Sequence, residues 1–374
     1  MKSRDLSRLG LSLAIPLLAI VFAVVVTSVI LVAAGDPVVL TWKTLVTGGI
    51  KGTFPRTLVG TVNLSTTYFQ SAIAVAIGFR MNLFNIGVDG QYRLAVFVAA
   101  LVGGAISLPR PLHILVVVVT AMVGGAAWAA IAGLLKVGRG VSEVISTIML
   151  NAIAGYAVAY FLRKAAVGEV GSNNLTTAEI PLSGQVPGFS LLPGTPLQAY
   201  GFVFVAVAVG IGYWYVLART RFGFDLRATG LSPTAAVASG VDVKRMVITS
   251  MLISGAIAGL VGLPELLGKT YAYDLSFPAG LGFKGIAIAL VGRNKPIGIA
   301  LAALLFAYLD IASNPLQILA NVAPEIVVVM QGIITFAVVI AYELVNRLAK
   351  TREQRRVASE LGAQQGPRPQ EVGA

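Results

Sequence analysis

LHILVVVVTAMVGGAAWAAIAGLL, residues 112–135, contains no Asp, Glu, Lys or Arg. A helix needs roughly 20 such residues to cross the ~30 Å hydrocarbon core of a bilayer, so this run is long enough to span it. Seven further apolar runs flank it, at 11–34, 57–79, 91–107, 143–162, 200–217, 246–263 and 326–346. Over all 374 residues, 56% are apolar and 12% charged. An ordinary soluble domain carries about 25% charge, so this chain cannot clothe a water-exposed globule. Its 41 glycines suit membrane helices that approach closely or break on purpose. The pattern is that of an all-α polytopic membrane protein.

Lys2, Arg4 and Arg8 precede the first run, as they would in a signal peptide. A signal h-region is about 7–15 residues, and 11–34 is longer, so a retained first span is expected. The stretch 283–312 is apolar except for Gly-Arg-Asn-Lys-Pro at 292–296. Its first arm is too short to cross as a helix, and it reads as a re-entrant half-helix followed by a longer return arm. The expectation is eight full spans plus this hairpin, or 8–10 crossings. The segments that then share a side with the termini hold 18 Lys and Arg against 8 on the other side. That bias places both termini in the cytoplasm and accounts for the net charge of +12 without nucleic acid. Residues 1–350 read as one transmembrane domain with a cytoplasmic loop at 218–245, and the polar segment 351–374 as a disordered tail.

Chemistry is constrained by what is missing. The chain has no cysteine and a single histidine, His113, which leaves no basis for thiolate catalysis or a Ser–His triad. The stretch Gly262 to Thr270 mimics a phosphate loop but has five residues between its glycines instead of four, and it follows a membrane span. No catalytic, cofactor or metal residue is expected. Polar residues inside the apolar runs carry more information. Asn63, Thr67 and Gln70 share one helical face, as do Glu143, Thr147 and Asn151. Such stripes either glue helices together or face a pathway. Asn82-Leu-Phe-Asn-Ile-Gly-Val-Asp-Gly-Gln91 interrupts the pattern between two spans and is either a plain loop or irregular backbone lining a cavity. The candidate substrate pathway is therefore Asn63, Thr67, Gln70, Asn85, Asp89, Gln91, Thr147 and Asn151, with Phe84 and Tyr92 as aromatic walls. Glu265, Asp310 and Glu325 read as solvated charges at the rims of spans.

Within the loop 218–245, Leu231-Ser-Pro-Thr-Ala-Ala-Val-Ala-Ser-Gly240 reads as a short helix. Ser232 suits its cap, Pro233 its first position and Gly240 its exit. Two turns are unstable alone in water, so this helix docks on its own membrane domain or on a partner.

Four separated motifs, in order, resemble the membrane permease subunits of bacterial ABC importers: Phe84-Asn-Ile-Gly-Val-Asp-Gly-Gln91, Glu143-Val-Ile-Ser-Thr-Ile-Met-Leu-Asn151, Arg227-Ala-Thr-Gly-Leu-Ser-Pro233 and Gly282-Phe-Lys-Gly-Ile-Ala-Ile-Ala-Leu-Val-Gly-Arg293. The nearest likeness is to the nucleoside type, related to the ribose-type and branched-chain amino acid permeases. Asp89, where Glu is common, and Tyr92-Arg93, where apolar residues are usual, depart from the pattern and bear on the solute. The resemblance implies the ABC importer permease fold in a bacterial cytoplasmic membrane. It implies a cytoplasmic ABC ATPase, a sister permease or second copy, and an extracytoplasmic substrate-binding lipoprotein. Arg227, Gly230, Ser232, Pro233, Ala235, Ala236 and Gly240 would then form the ATPase coupling surface. Nucleosides are the expected solute, with simple sugars as the alternative and an ion-coupled secondary carrier as the reading from another class.

Overall fold

The computed structural model describes residues 2–47, 54–167, 175–193 and 195–364, and its regular elements are helices joined by loops with two isolated antiparallel bridges. The order is α1 (Lys2–Ala34), α2 (Val38–Thr47), α3 (Phe54–Arg80), α4 (Val88–Ala105), α5 (Arg110–Arg139) and α6 (Glu143–Ala165). Next come α7 (Phe202–Arg219), α8 (Arg221–Leu231), α9 (Pro233–Ala238), α10 (Val243–Leu260) and the short α11 (Leu263–Glu265), which widens into a π turn at Leu266–Thr270. The chain ends with α12 (Leu281–Val291), α13 (Pro296–Ser313), α14 (Leu316–Ala320) and α15 (Ile326–Gln364).

The tightest seam joins α5 and α10, and glycine makes it. A Cβ on Gly125 would lie 2.2 Å from the Gly255 carbonyl oxygen, and one on Gly255 would lie 2.4 Å from that of Gly125. The two backbones therefore touch directly. Lipid tails are as apolar as leucine, so membrane helices associate through this close packing rather than through a hydrophobic drive. The opposite face of α5 exposes Leu112, Leu115, Val119, Val123, Ile131 and Leu134, the aliphatic surface that lipid solvates.

Among the described residues, six helices are long and apolar enough to cross a membrane, fewer than the eight full spans expected. The difference lies in α1, α3 and α4, which are not among the six, and in α13, the longer arm of the 283–312 stretch, which is. The described apolar part of α1, Leu18–Ala34, falls just short in length. Helix α3 is long but polar, burying Asn63, Ser65, Thr66, Thr67, Gln70 and Ser71. It packs against α7, α10, α12 and α13, so neighbouring helices surround most of these groups. The first turn of α4 likewise buries Asp89 and Gln91. The stretch 283–312 folds as a short helix, α12, with 11 residues, and a longer one, α13, with 18. The terminal helix does not stop near 350 but runs to Gln364, and residues 365–374 lie outside the described ones.

The segment between α6 and α7 is strapped down. Thr177 N–H donates to the Tyr273 carbonyl at 2.9 Å, Ile180 to Tyr271 at 2.8 Å and Val186 to Leu267 at 2.9 Å. His113 completes this corner, with Nδ1 2.8 Å from Ser183 Oγ and Nε2 3.0 Å from the Gly103 carbonyl. The single histidine holds a loop.

Candidate functional site

The break between α3 and α4 is a hydrogen-bonded knot. Asn82 turns the chain through a φ of 60°, a region asparagine tolerates. Asn85 and Gln91 then exchange amide bonds, Nδ2–H to Oε1 at 3.0 Å and Nε2–H to Oδ1 at 2.9 Å. Asn85 also donates to Ser254 Oγ on α10 at 2.8 Å, and that hydroxyl donates to the Ala74 carbonyl at 2.6 Å. From α6, Asn151 accepts the Gly90 N–H at 2.8 Å and donates to the Ile86 carbonyl at 2.9 Å. Asp89 accepts the Gly282 N–H of α12 at 3.2 Å, and Tyr92 donates to the Pro278 carbonyl at 2.7 Å. Gly282 is needed there, because a Cβ would sit 2.3 Å from the Asp89 nitrogen. One irregular turn thus pins α3, α4, α6, α10 and α12 together, as buried polar backbone in a membrane protein requires.

The remaining pathway candidates divide differently. Asn63 holds the strap, donating to the Gln198 carbonyl at 2.9 Å and accepting the Tyr200 N–H at 2.8 Å. Thr147 is buried and donates to the Glu143 carbonyl of its own helix at 2.7 Å. Thr67 is buried on α3. Phe84 is 44% exposed and packs against Phe79 at 5.2 Å between ring centroids. Gln70 stands apart. It is fully buried at the middle of α3, and neither its Oε1 nor its Nε2 has a hydrogen-bond partner. The structure joins Asn85, Asp89, Gln91, Tyr92 and Asn151 in one knot, leaves Asn63 at the strap, and leaves Gln70 alone with its polarity unspent.

A second polar cluster escaped the sequence reading. Lys284 of α12 lies 2.9 Å from both Asp310 carboxylate oxygens on α13 and 2.6 Å from Gln331 Oε1 on α15. Tyr68 of α3 donates to Asp310 at 2.6 Å, and Gln331 Nε2 donates to it at 3.0 Å. Asp310 is therefore a paired, part-buried charge rather than a solvated one, although Glu325 is exposed as expected. Glu265 pairs with Lys269 at 2.6 Å and accepts from Tyr200 at 3.2 Å. Burial, then the Glu265 carboxylate, raises the Tyr200 phenol above the ordinary tyrosine value and keeps it a neutral donor. The signal in the sequence was one cation and one anion of opposite sign in facing apolar runs.

Between α7 and α10 the short helix is capped as its sequence suggests. Ser232 Oγ accepts the Ala235 N–H at 3.3 Å, Pro233 begins α9, and Gly240 leaves it at a φ of 84°. Three of the coupling candidates turn inward. Arg227 donates to the Leu217 carbonyl at the end of α7, and Gly230 presses on the end of α3, where a Cβ would sit 2.4 Å from the Arg80 carbonyl oxygen. Ala236 is 3% exposed, so it packs on this chain's own body rather than facing outward. The outward surface is made by Leu231, Val237 and their neighbours Pro233 and Ala235.

Polar groups gathered inside a helical membrane body, with a short capped helix held between two spans, define a polytopic transport subunit. The chain belongs to the family of branched-chain amino acid transport system permease components, whose pattern matches residues 57–339. It is 33% identical over 348 residues to the guanosine ABC transporter permease protein NupP of Bacillus subtilis, covering 91% of this chain and 97% of that one. It is 31% identical over 347 residues to the nucleoside ABC transporter permease protein NupB of Lactococcus lactis, covering 90% and 93%. A glucose ABC transporter permease protein of Haloferax volcanii is 29% identical over 270 residues, 71% of each chain. No solved structure matches. The chain is a multi-pass ABC transporter permease component, a transport subunit without a catalytic role.

Proposed function

We propose that this permease carries nucleosides inward across a bacterial cytoplasmic membrane, powered by ATP hydrolysis in a separate cytoplasmic subunit. The likeness to guanosine and nucleoside permeases over some nine-tenths of the chain carries this reading. The glucose permease relative, matched over less of the chain, supports a sugar as the second reading. In the proposed arrangement both termini are cytoplasmic, and besides the eight spans the hairpin of α12 and α13 carries its turn to the cytoplasmic end of α3, where Asn294 meets Arg80. A sister permease or second copy completes the translocator, and an extracytoplasmic lipoprotein delivers the solute. Residues 1–350 act as one transmembrane domain.

Purified permease, ATPase and binding protein in proteoliposomes test the proposal. ATP-dependent uptake of labelled guanosine should survive an uncoupler and should be blocked by excess unlabelled nucleoside but not by glucose. Loss of uptake with the uncoupler would favour an ion-coupled carrier, and ATP-dependent uptake of labelled glucose without uptake of guanosine would favour the sugar.

The exposed face of α9 and its flanks is the proposed seat of the ATPase. A carboxylate at Val237 would be buried unpaired in that interface, which is costly. Val237→Glu should abolish uptake and ATPase co-purification while leaving the melting temperature unchanged, because Val237 is 60% exposed in this chain. Normal uptake by that variant would remove the coupling assignment. Ala236→Glu is the wrong probe, since Ala236 is packed inside.

A further inference from the structure

The turn 292–296 between α12 and α13 is pinned at two of its three central residues. Arg293 and Asn294 both adopt left-handed backbone, with φ of 57° and 54°. The Arg293 guanidinium lies 3.9 Å over the Tyr342 ring of α15. The Asn294 carbonyl accepts from Arg80 at 2.7 Å and from Tyr213 at 2.9 Å. Lys295 is exposed, and among the described residues its ammonium has no ion-pair partner. That free cation stands at the mouth of an open groove of about 960 Å³ between α3, α7 and α13.

The groove differs from the convex aliphatic faces elsewhere on the molecule. Phe69, seated against Gly210, and Trp214 wall it, and Ile297, Ala300 and Leu301 line its other side. Its two hydroxyl residues, Ser65 and Thr66, spend their hydrogens on the Val62 carbonyl of their own helix, each at 2.9 Å. Nothing polar remains along its length to bind a solute. The same end of the molecule also carries Arg80, closing α3, and Arg219 and Arg221 at the α7–α8 junction. A long apolar cleft of this volume with a cation at one end has the shape and charge of a lipid site, because basic pockets between membrane helices bind anionic headgroups. We propose that the groove holds an acyl chain of one anionic phospholipid, with the Lys295 ammonium on its phosphate. This binding is distinct from general solvation by the bilayer and is independent of the transported solute. Its occupant also explains why α3, α7 and α13 leave a cleft open: a lipid tail is as good a neighbour there as a fourth helix.

Trp214 is a built-in reporter. With Trp42 and Trp128 replaced by Phe, its fluorescence reads contact with brominated acyl chains in vesicles of phosphatidylcholine. The assembled permease should show about a fivefold preference for brominated phosphatidylglycerol over brominated phosphatidylcholine at equal low mole fraction, the factor expected for one lysine near an anionic headgroup. Lys295→Gln should abolish the preference while both lipids still quench. Ala300→Phe, which fills the groove without touching the charge, should reduce quenching by both. The proposal is overturned if the wild type quenches equally with the two lipids, or if the preference survives Lys295→Gln. It is also overturned if neither lipid reaches Trp214 in the assembled transporter, which would place a protein helix in the groove.

Discussion

Asn85 and Gln70 are both buried side-chain amides, and their surroundings are opposite. Asn85 meets Gln91, Ser254 and the Gly87 N–H, whereas Gln70, on α3, meets no partner with either polar atom. In a membrane interior an unpaired amide is expensive, by roughly 2–7 kcal/mol depending on the reference state. A paired amide is therefore explained by the conformation in which it is seen. An unpaired one points to a partner outside that conformation: a water, a solute, or another arrangement of the same helices. The contrast sets residues that hold the body together beside Gln70, the pathway candidate on which the proposed transport role can be tested.

The largest expected effect comes from breaking the paired side of this contrast. Asn151→Leu leaves the Gly90 N–H and the Ile86 carbonyl without partners. At about 1–3 kcal/mol for each buried group left unsatisfied, the cost is roughly 2–6 kcal/mol. The melting temperature of the detergent-solubilised permease should fall sharply, with nucleoside uptake falling in proportion to folded protein. An unchanged melting temperature would mean the knot does not hold the helices. Ser254→Ala is the milder probe. It removes one acceptor from Asn85 and one donor to Ala74 but leaves the Asn85–Gln91 pair, so about 1–2 kcal/mol is expected. A larger loss for Ser254→Ala than for Asn151→Leu would move the centre of the knot from α6 to α10.

Much of this body is legible in the sequence, because a span announces itself by length and apolarity. The short arm and long return of α12 and α13 follow from counting residues on either side of Gly292 to Pro296. The ends of α9 follow from local chemistry at Ser232, Pro233 and Gly240. Partners across the chain are a different matter. Asn85 finds Ser254 169 positions away, and Tyr68 finds Asp310 242 positions away. Periodicity places each residue on a face but does not say which face of another helix it meets. For the same reason Asp310 read as a rim charge. Sequence alone puts Ala236 on the coupling surface because a helix of six residues, apolar but for Thr234, carries no sign of which side packs inward. Helices α3 and α4 blurred the count of spans because their polar groups are solvated by neighbouring helices, a fact that lies outside their own sequence.

Gln70→Leu, followed by melting and uptake on one preparation, addresses the contrast most directly. Leucine removes an amide that makes no hydrogen bond in this conformation, so the melting temperature should hold or rise by a few degrees. If Gln70 belongs to the proposed pathway, ATP-driven nucleoside uptake should nevertheless fall several-fold at unchanged binding-protein affinity. Uptake at the wild-type rate would contradict a transport role for Gln70 and leave it a residue with no function in the pathway.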